Sequence, residues 1–126
     1  MKSKLEIYAL AVCFTSMICI VISSAITAYS VISMVVPDIT MDSYQYERYQ
    51  SNDAYWNEIK CCDAEDKNKP RIGEQELTKK RNDAYIMALS NEKRSGLQSF
   101  ILSLMFLLSG AVALFVHWVI AKRSRL

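Results

Sequence analysis

The sequence predicts an all-α protein: a two-span transmembrane helical hairpin with a protruding extramembrane helical hairpin. Three observations predict it. No Asp, Glu, Lys or Arg occurs from Ile7 to Val36 or from Ser95 to Ala121. Each of these runs exceeds the roughly 18 to 20 residues that a helix needs to cross a hydrocarbon core about 30 Å thick. The stretch between them, Pro37 to Arg94, holds twelve acids and ten bases. A soluble fold would have to cover two such helices with that one polar segment, and leaving them in water would expose apolar patches that soluble monomers do not tolerate.

Residues 1–6 form a short basic start carrying Lys2 and Lys4. Residues 7–36 are the first transmembrane helix. Ser23-Ser24-Ala25 could serve as a signal-peptide cleavage site, but the apolar run continues to Val36, as in an uncleaved anchor. Pro37 ends the span, because proline breaks the helical hydrogen-bond ladder and pushes the preceding residue out of the helical region. Residues 37–94 form the protruding segment. Within it Ser43 to Lys60 reads as one helix with Tyr49, Trp56 and Ile59 on one face. Asp63 to Gly73, with Pro70 and hardly an apolar residue, reads as the tip.

After Gly73 the carboxylates of Glu74 and Glu76 suit the positive end of a helix dipole. No breaker follows before Gly96, and Leu77, Ala84, Tyr85, Ala88 and Leu89 keep one apolar stripe. One rod is therefore expected from about Glu74 to Lys122, on the order of 70 Å long. Residues 95–121 are its transmembrane part, and residues 122–126 are a basic end with Lys122, Arg123 and Arg125. Positive charge beside both spans places both termini in the cytoplasm and the protein in a cell membrane of the bacterial inner-membrane type, with residues 37–94 outside the cytoplasm. Lys93 and Arg94, next to the second span, argue the other way.

Each span carries one face of small and polar residues. Ala9, Ser16, Ser23 and Ser30 recur every seven residues with Thr27 on the same side; Gly96, Ser103, Gly110 and His117 recur every seven with Ser99 beside them. These are helix-packing seams, where small residues let backbones approach, or else the Ser/Thr face of the first span lines a pore built by several subunits. A two-helix hairpin is expected to leave at least one face without a partner in its own chain, which predicts a homo-oligomer or a larger membrane-protein partner. His117, followed by Trp118, reads as an interfacial anchor or packing residue, with a pH-sensitive role as the alternative.

Tyr44, Tyr46, Tyr49, Tyr55 and Trp56 form an aromatic cluster just past the first span and read as an interfacial belt or intersubunit contact. Interleaved with acids, they do not form a nucleic-acid platform. Cys61 and Cys62 are adjacent and suit a bond to another subunit in an oxidising compartment, or two free thiols in a reducing one. No second cysteine pair or nearby histidine completes a metal site, and no cofactor motif, P-loop, H-E-x-x-H or nucleophile with a histidine partner is present.

In the order of its segments the chain resembles small two-span channels such as the large-conductance mechanosensitive channel. The resemblance covers layout and no motif, since an amphipathic helix before the first span and a Gly-Ala-rich pore helix are both missing. The functional expectation is a non-enzymatic structural or accessory membrane subunit that assembles through its small-residue faces and protruding segment. The alternative is a homo-oligomeric ion or small-solute channel.

Overall fold

The computed structural model describes residues 4–62 and 68–125, and every regular element among them is α-helical: α1 (Lys4–Val35), α2 (Pro37–Thr40), α3 (Ser43–Arg48), α4 (Asn52–Cys62) and α5 (Glu74–Arg123). Residues 63–67 of the expected tip, and Lys2 of the basic start, lie outside the described residues. α1 and α5 are both long and apolar enough to cross a membrane. The chain divides into two units, one made of Met1–Val31 and Gly96–Leu126, the other of Ile32–Ser95.

Proline sets the end of α1. Val36, the residue before Pro37, leaves the helical region at φ −132° and ψ 71°. Pro37 then occupies the first position of α2, where its missing N–H costs nothing. The backbone N–H of Met41 donates to the Pro37 carbonyl at 3.0 Å, and the Met41 side chain is buried.

The single helix expected over Ser43–Lys60 does not form. α3 stops at Arg48, and Tyr49 sits at φ −89°, ψ −2°. The N–H groups of Tyr49 and Gln50 donate to the carbonyls of Tyr46 and Glu47 at 3.2 and 3.1 Å, the tight i→i+3 pattern of a closing turn. Ser51 then starts a new helix. Its carbonyl accepts from the Tyr55 N–H at 3.1 Å and its hydroxyl from the Ala54 N–H at 3.1 Å, which satisfies one of the donors that a helix start otherwise leaves unpaired. A serine hydroxyl competes for backbone donors inside a helix and serves them at its start, so the chain bends here. α3 and α4 consequently pack on each other.

α5 is one uninterrupted helix of 50 residues. The Gly73 carbonyl accepts from Leu77 N–H at 2.9 Å, the first i→i−4 bond of the helix. Glu74 and Glu76 lie in its first turn, and Lys122 and Arg123 in its last. Both placements complement the helix dipole.

Candidate functional site

In the unit formed by Met1–Val31 and Gly96–Leu126, the two small-residue faces meet each other. Ala9, Ser16, Ser23 and Ser30 of α1 are buried, as are Gly96, Ser103 and Gly110 of α5. The contacts follow one antiparallel register. The ring of Tyr8 meets His117 edge-on at 6.0 Å, Cys13 Sγ approaches the Leu114 carbonyl at 3.9 Å, and Thr27 Oγ1 lies 2.8 Å from Ser103 Oγ. Partner numbers fall along α5 as they rise along α1, so the two seven-residue series face one another. A strict seven-residue repeat keeps one seam of each helix in contact with the other.

At Gly110 the helices approach closely. A Cβ placed there would lie 3.1 Å from Ile20 Cγ1 and 3.7 Å from the Ser16 carbonyl oxygen. Even a methyl group here would ask the Ile20 side chain to give by a few tenths of an ångström, and a larger side chain would have to displace it. The expectation that one face lacks a partner in its own chain is therefore not met: each face covers the other.

Most hydroxyls in this unit are satisfied locally. Thr15, Ser24, Thr27 and Ser30 donate to the carbonyls of Ala11, Ile20, Ser23 and Ile26, and Ser103 and Ser109 to those of Phe100 and Phe106. Bonding to the same helix one turn back lets a hydroxyl sit in an apolar environment without a partner on another chain. Among the described residues, only the Thr27 and Ser103 hydroxyls bond across the seam; a hydroxyl has one proton, so whichever of the two donates there gives up its bond to the carbonyl of its own helix. His117 is half-buried, with Nδ1 2.8 Å from the Ala113 carbonyl. Ser99 is half-buried beside the seam, and Trp118 points outward.

The end of this unit is closed by an ion pair that the sequence does not announce. Glu6, only 7% exposed, accepts from Arg125 Nε at 2.8 Å. Two residues 119 apart gave no local signal; only the antiparallel pairing brings them together. Next to the seam Ala11, Thr15, Cys19, Ser109 and Ala113 leave a groove of about 490 Å³, because small side chains on both helices fail to fill the flank.

The unit Ile32–Ser95 is held differently. Arg48 is its hub: Nη1 donates to Glu58 Oε1 at 2.6 Å, and the guanidinium lies 5.2 and 5.8 Å from the ring centres of Tyr49 and Tyr55. Tyr49 also packs against Tyr55 and Tyr85, with centroids 6.2 and 5.5 Å apart. Burial raises the Tyr85 phenol above its ordinary pKa, and the carboxylate of Asp38 and the phenol of Tyr46 add to the effect.

The aromatic cluster read from the sequence is thereby divided. Tyr49 and Tyr55 are structural, Trp56 is half-buried, and Tyr44 and Tyr46 are exposed. Two residues that complete the stack lay outside that reading: Arg48, which is not aromatic although it adjoins Tyr49, and Tyr85, which lies far along the chain in α5. Tyr85 was visible only as part of the apolar stripe.

A second polar cluster ties α4 to the start of α5. Asn52 Nδ2 donates to Glu74 Oε2 at 2.8 Å and Thr78 Oγ1 at 2.9 Å, while Arg71 bridges Asp53 at 2.7 Å and Glu74 at 2.6 Å. The carboxylates of Asp53 and Glu74 raise the Arg71 pKa, the Asp53 hydrogen bond foremost. The first turn of α4 thus meets the first turn of α5. Ser33, fully covered, donates to the Glu92 carbonyl and carboxylate at 3.3 and 3.2 Å.

Cys61 and Cys62 close α4, and both are exposed free thiols. No group of three or more metal-capable side chains occurs among the described residues. No family model matches this chain, and neither a curated protein nor a solved structure does.

Proposed function

We propose that this chain is a non-enzymatic integral membrane protein that crosses the bilayer twice, with both termini cytoplasmic, and acts as a structural or accessory subunit through residues 37–94. The observation that carries the reading is the exposure of its two apolar helices. In the most apolar stretches of α1 and α5, only 17% and 11% of residues are buried. A core helix of a soluble protein would have most of that surface covered. Here Phe14, Val21, Leu108 and Phe115 all stand outward at 67–72% exposure. Lipid is the solvent that makes such surfaces stable, and within it the backbone groups of a helix are satisfied internally.

The division of labour between the faces supports a non-conducting role. Ser16, Ser23 and Ser30, the residues that would line a pore, are spent in the intramolecular seam, and their place toward the outside is taken by large apolar side chains. No carboxylate, lysine or arginine interrupts residues 7–36 or 95–121, so neither a charged selectivity ring nor a proton relay has residues to work with. What remains for recognition is the charged central segment.

The reading is tested on the full chain. Alkaline carbonate should leave it in the membrane pellet, and liposomes containing only this protein should retain entrapped ions. Release into the supernatant overturns the membrane assignment; ion leakage that scales with protein content overturns the non-conducting role.

A further inference from the structure

We infer that Cys61 and Cys62 are a covalent docking site for a second copy of this chain. The inference rests on the topology proposed above, which puts residues 37–94 in an oxidising compartment, and adds to it the partner and the bond. Both thiols are exposed at the C-terminal end of α4. A bond between them would close a strained ring, and the helix geometry opposes it. Adjacent Cα atoms across a trans peptide are about 3.8 Å apart, whereas disulfides bridge Cα atoms about 4.4 to 6.8 Å apart. Successive side chains on a helix also diverge by about 100°. The remaining cysteines offer no alternative, because Cys13 and Cys19 lie in α1, within the run assigned to hydrocarbon.

A second copy fits better than an unrelated protein. A twofold contact is self-complementary, so the residue pair i to j recurs as j to i. Two copies meeting at this helix end can join Cys61 of each to Cys62 of the other and leave no thiol over, whereas a foreign partner would need a matching adjacent pair. Cys61 also lines a shallow groove with Tyr44, Asn57 and Glu58, so its surroundings are an accessible surface between α3 and α4.

The chemistry is thiol–disulfide exchange with an external disulfide, as carried by a thiol oxidoreductase. A thiolate of one copy attacks a sulfur of that disulfide, forming a mixed disulfide and releasing one thiolate, which takes up the proton lost. The thiolate of the second copy then attacks the chain's sulfur in the mixed disulfide and expels the second thiolate. Each interchain bond thus oxidises two cysteine thiols and reduces one disulfide to two thiols.

Native membranes holding the full chain, with free thiols blocked before lysis, are resolved without reductant. The expected result is a species at twice the 14.4 kDa chain mass that reductant converts to monomer. It should be absent from the double variant Cys61→Ser/Cys62→Ser and retained in Cys13→Ser/Cys19→Ser. A second measurement separates the bond from the topology, using an impermeant maleimide on intact cells. A wild-type monomer labelled from outside overturns the bond and leaves the topology standing. A monomer labelled only after lysis overturns both. A dimer that survives in the double variant, or an adduct with the mass of a different protein, overturns the assignment to Cys61, Cys62 and a second copy.

Discussion

The unit built from Met1–Val31 with Gly96–Leu126 and the unit Ile32–Ser95 are both helical, but they cohere by opposite means. In the first, small residues line the inside and large apolar residues the outside: Ala9, Ser30 and Ser103 are covered while Phe14, Leu108 and Phe115 are exposed. Attraction there comes from close backbone approach, as at Gly110. In the second, large side chains form the inside. Leu77 is completely covered, Tyr55 nearly so, and a guanidinium sits among tyrosine rings. Water would drive the second arrangement through apolar burial, but it would drive the first to hide its outer face. The difference supports the proposal that the first unit faces lipid and the second faces water.

The largest effect should come from breaking the one helix that contributes to both units. Met87 is 67% exposed, so Met87→Pro removes little packing and isolates the backbone. It deletes an N–H and clashes with the carbonyl four residues earlier, at a cost of about 3 kcal/mol or more. Unfolding of Met87→Pro in detergent should begin in the unit Ile32–Ser95, with loss of the Tyr49–Tyr85 contact as the readout. Wild-type stability in this variant would show that helix is dispensable there.

The next perturbation tests whether the unit built from Met1–Val31 with Gly96–Leu126 depends on smallness. Gly110→Leu must push Ile20 aside, and overpacking of this kind costs about 1 to 3 kcal/mol. Leu108→Ala, at a position 68% exposed, should change little in detergent. Distances between spin labels at exposed α1 and α5 positions, such as Phe14 and Val112, should lengthen for Gly110→Leu alone. If the two variants behave alike, the seam is not what pairs these helices.

The smallest effect sharpens the comparison by its sign. Ser51→Ala removes the hydroxyl that caps α4 and should destabilise the unit Ile32–Ser95 by about 1 kcal/mol. Were Ser43–Cys62 one helix, the same change would place the strongest helix former at an interior position and stabilise it slightly. Thermal unfolding followed by tyrosine fluorescence decides between the two signs.

Much of the architecture was legible because it depends on local rules. Pro37 ends α1 wherever that helix goes, and the uncharged runs mark the two long apolar helices without knowledge of any contact. The bend at Ser51 was local too, yet it was missed: the aromatic stripe through Tyr49 and Trp56 was read as helical phase, while Ser51 ahead of Asn52 and Asp53 carried the cap. The sites were less legible. The seven-residue series on each helix were visible, but nothing in either one says what faces it.

The sequence by itself determined composition along the chain, and with it which helices form and which of their faces are small. Tertiary structure alone decided that the Ala9–Ser30 face meets the Gly96–His117 face, that Glu6 finds Arg125, and that Arg48 gathers Glu58, Tyr49 and Tyr55. Helix formation is settled by bonds between residues four apart and by caps within a turn, so it is written locally. Pairing between distant residues depends on register and approach in three dimensions, where many alternatives share the same one-dimensional pattern. A small-residue face can serve a partner helix in the same chain or in another, and only the packed structure shows that here it serves the same chain.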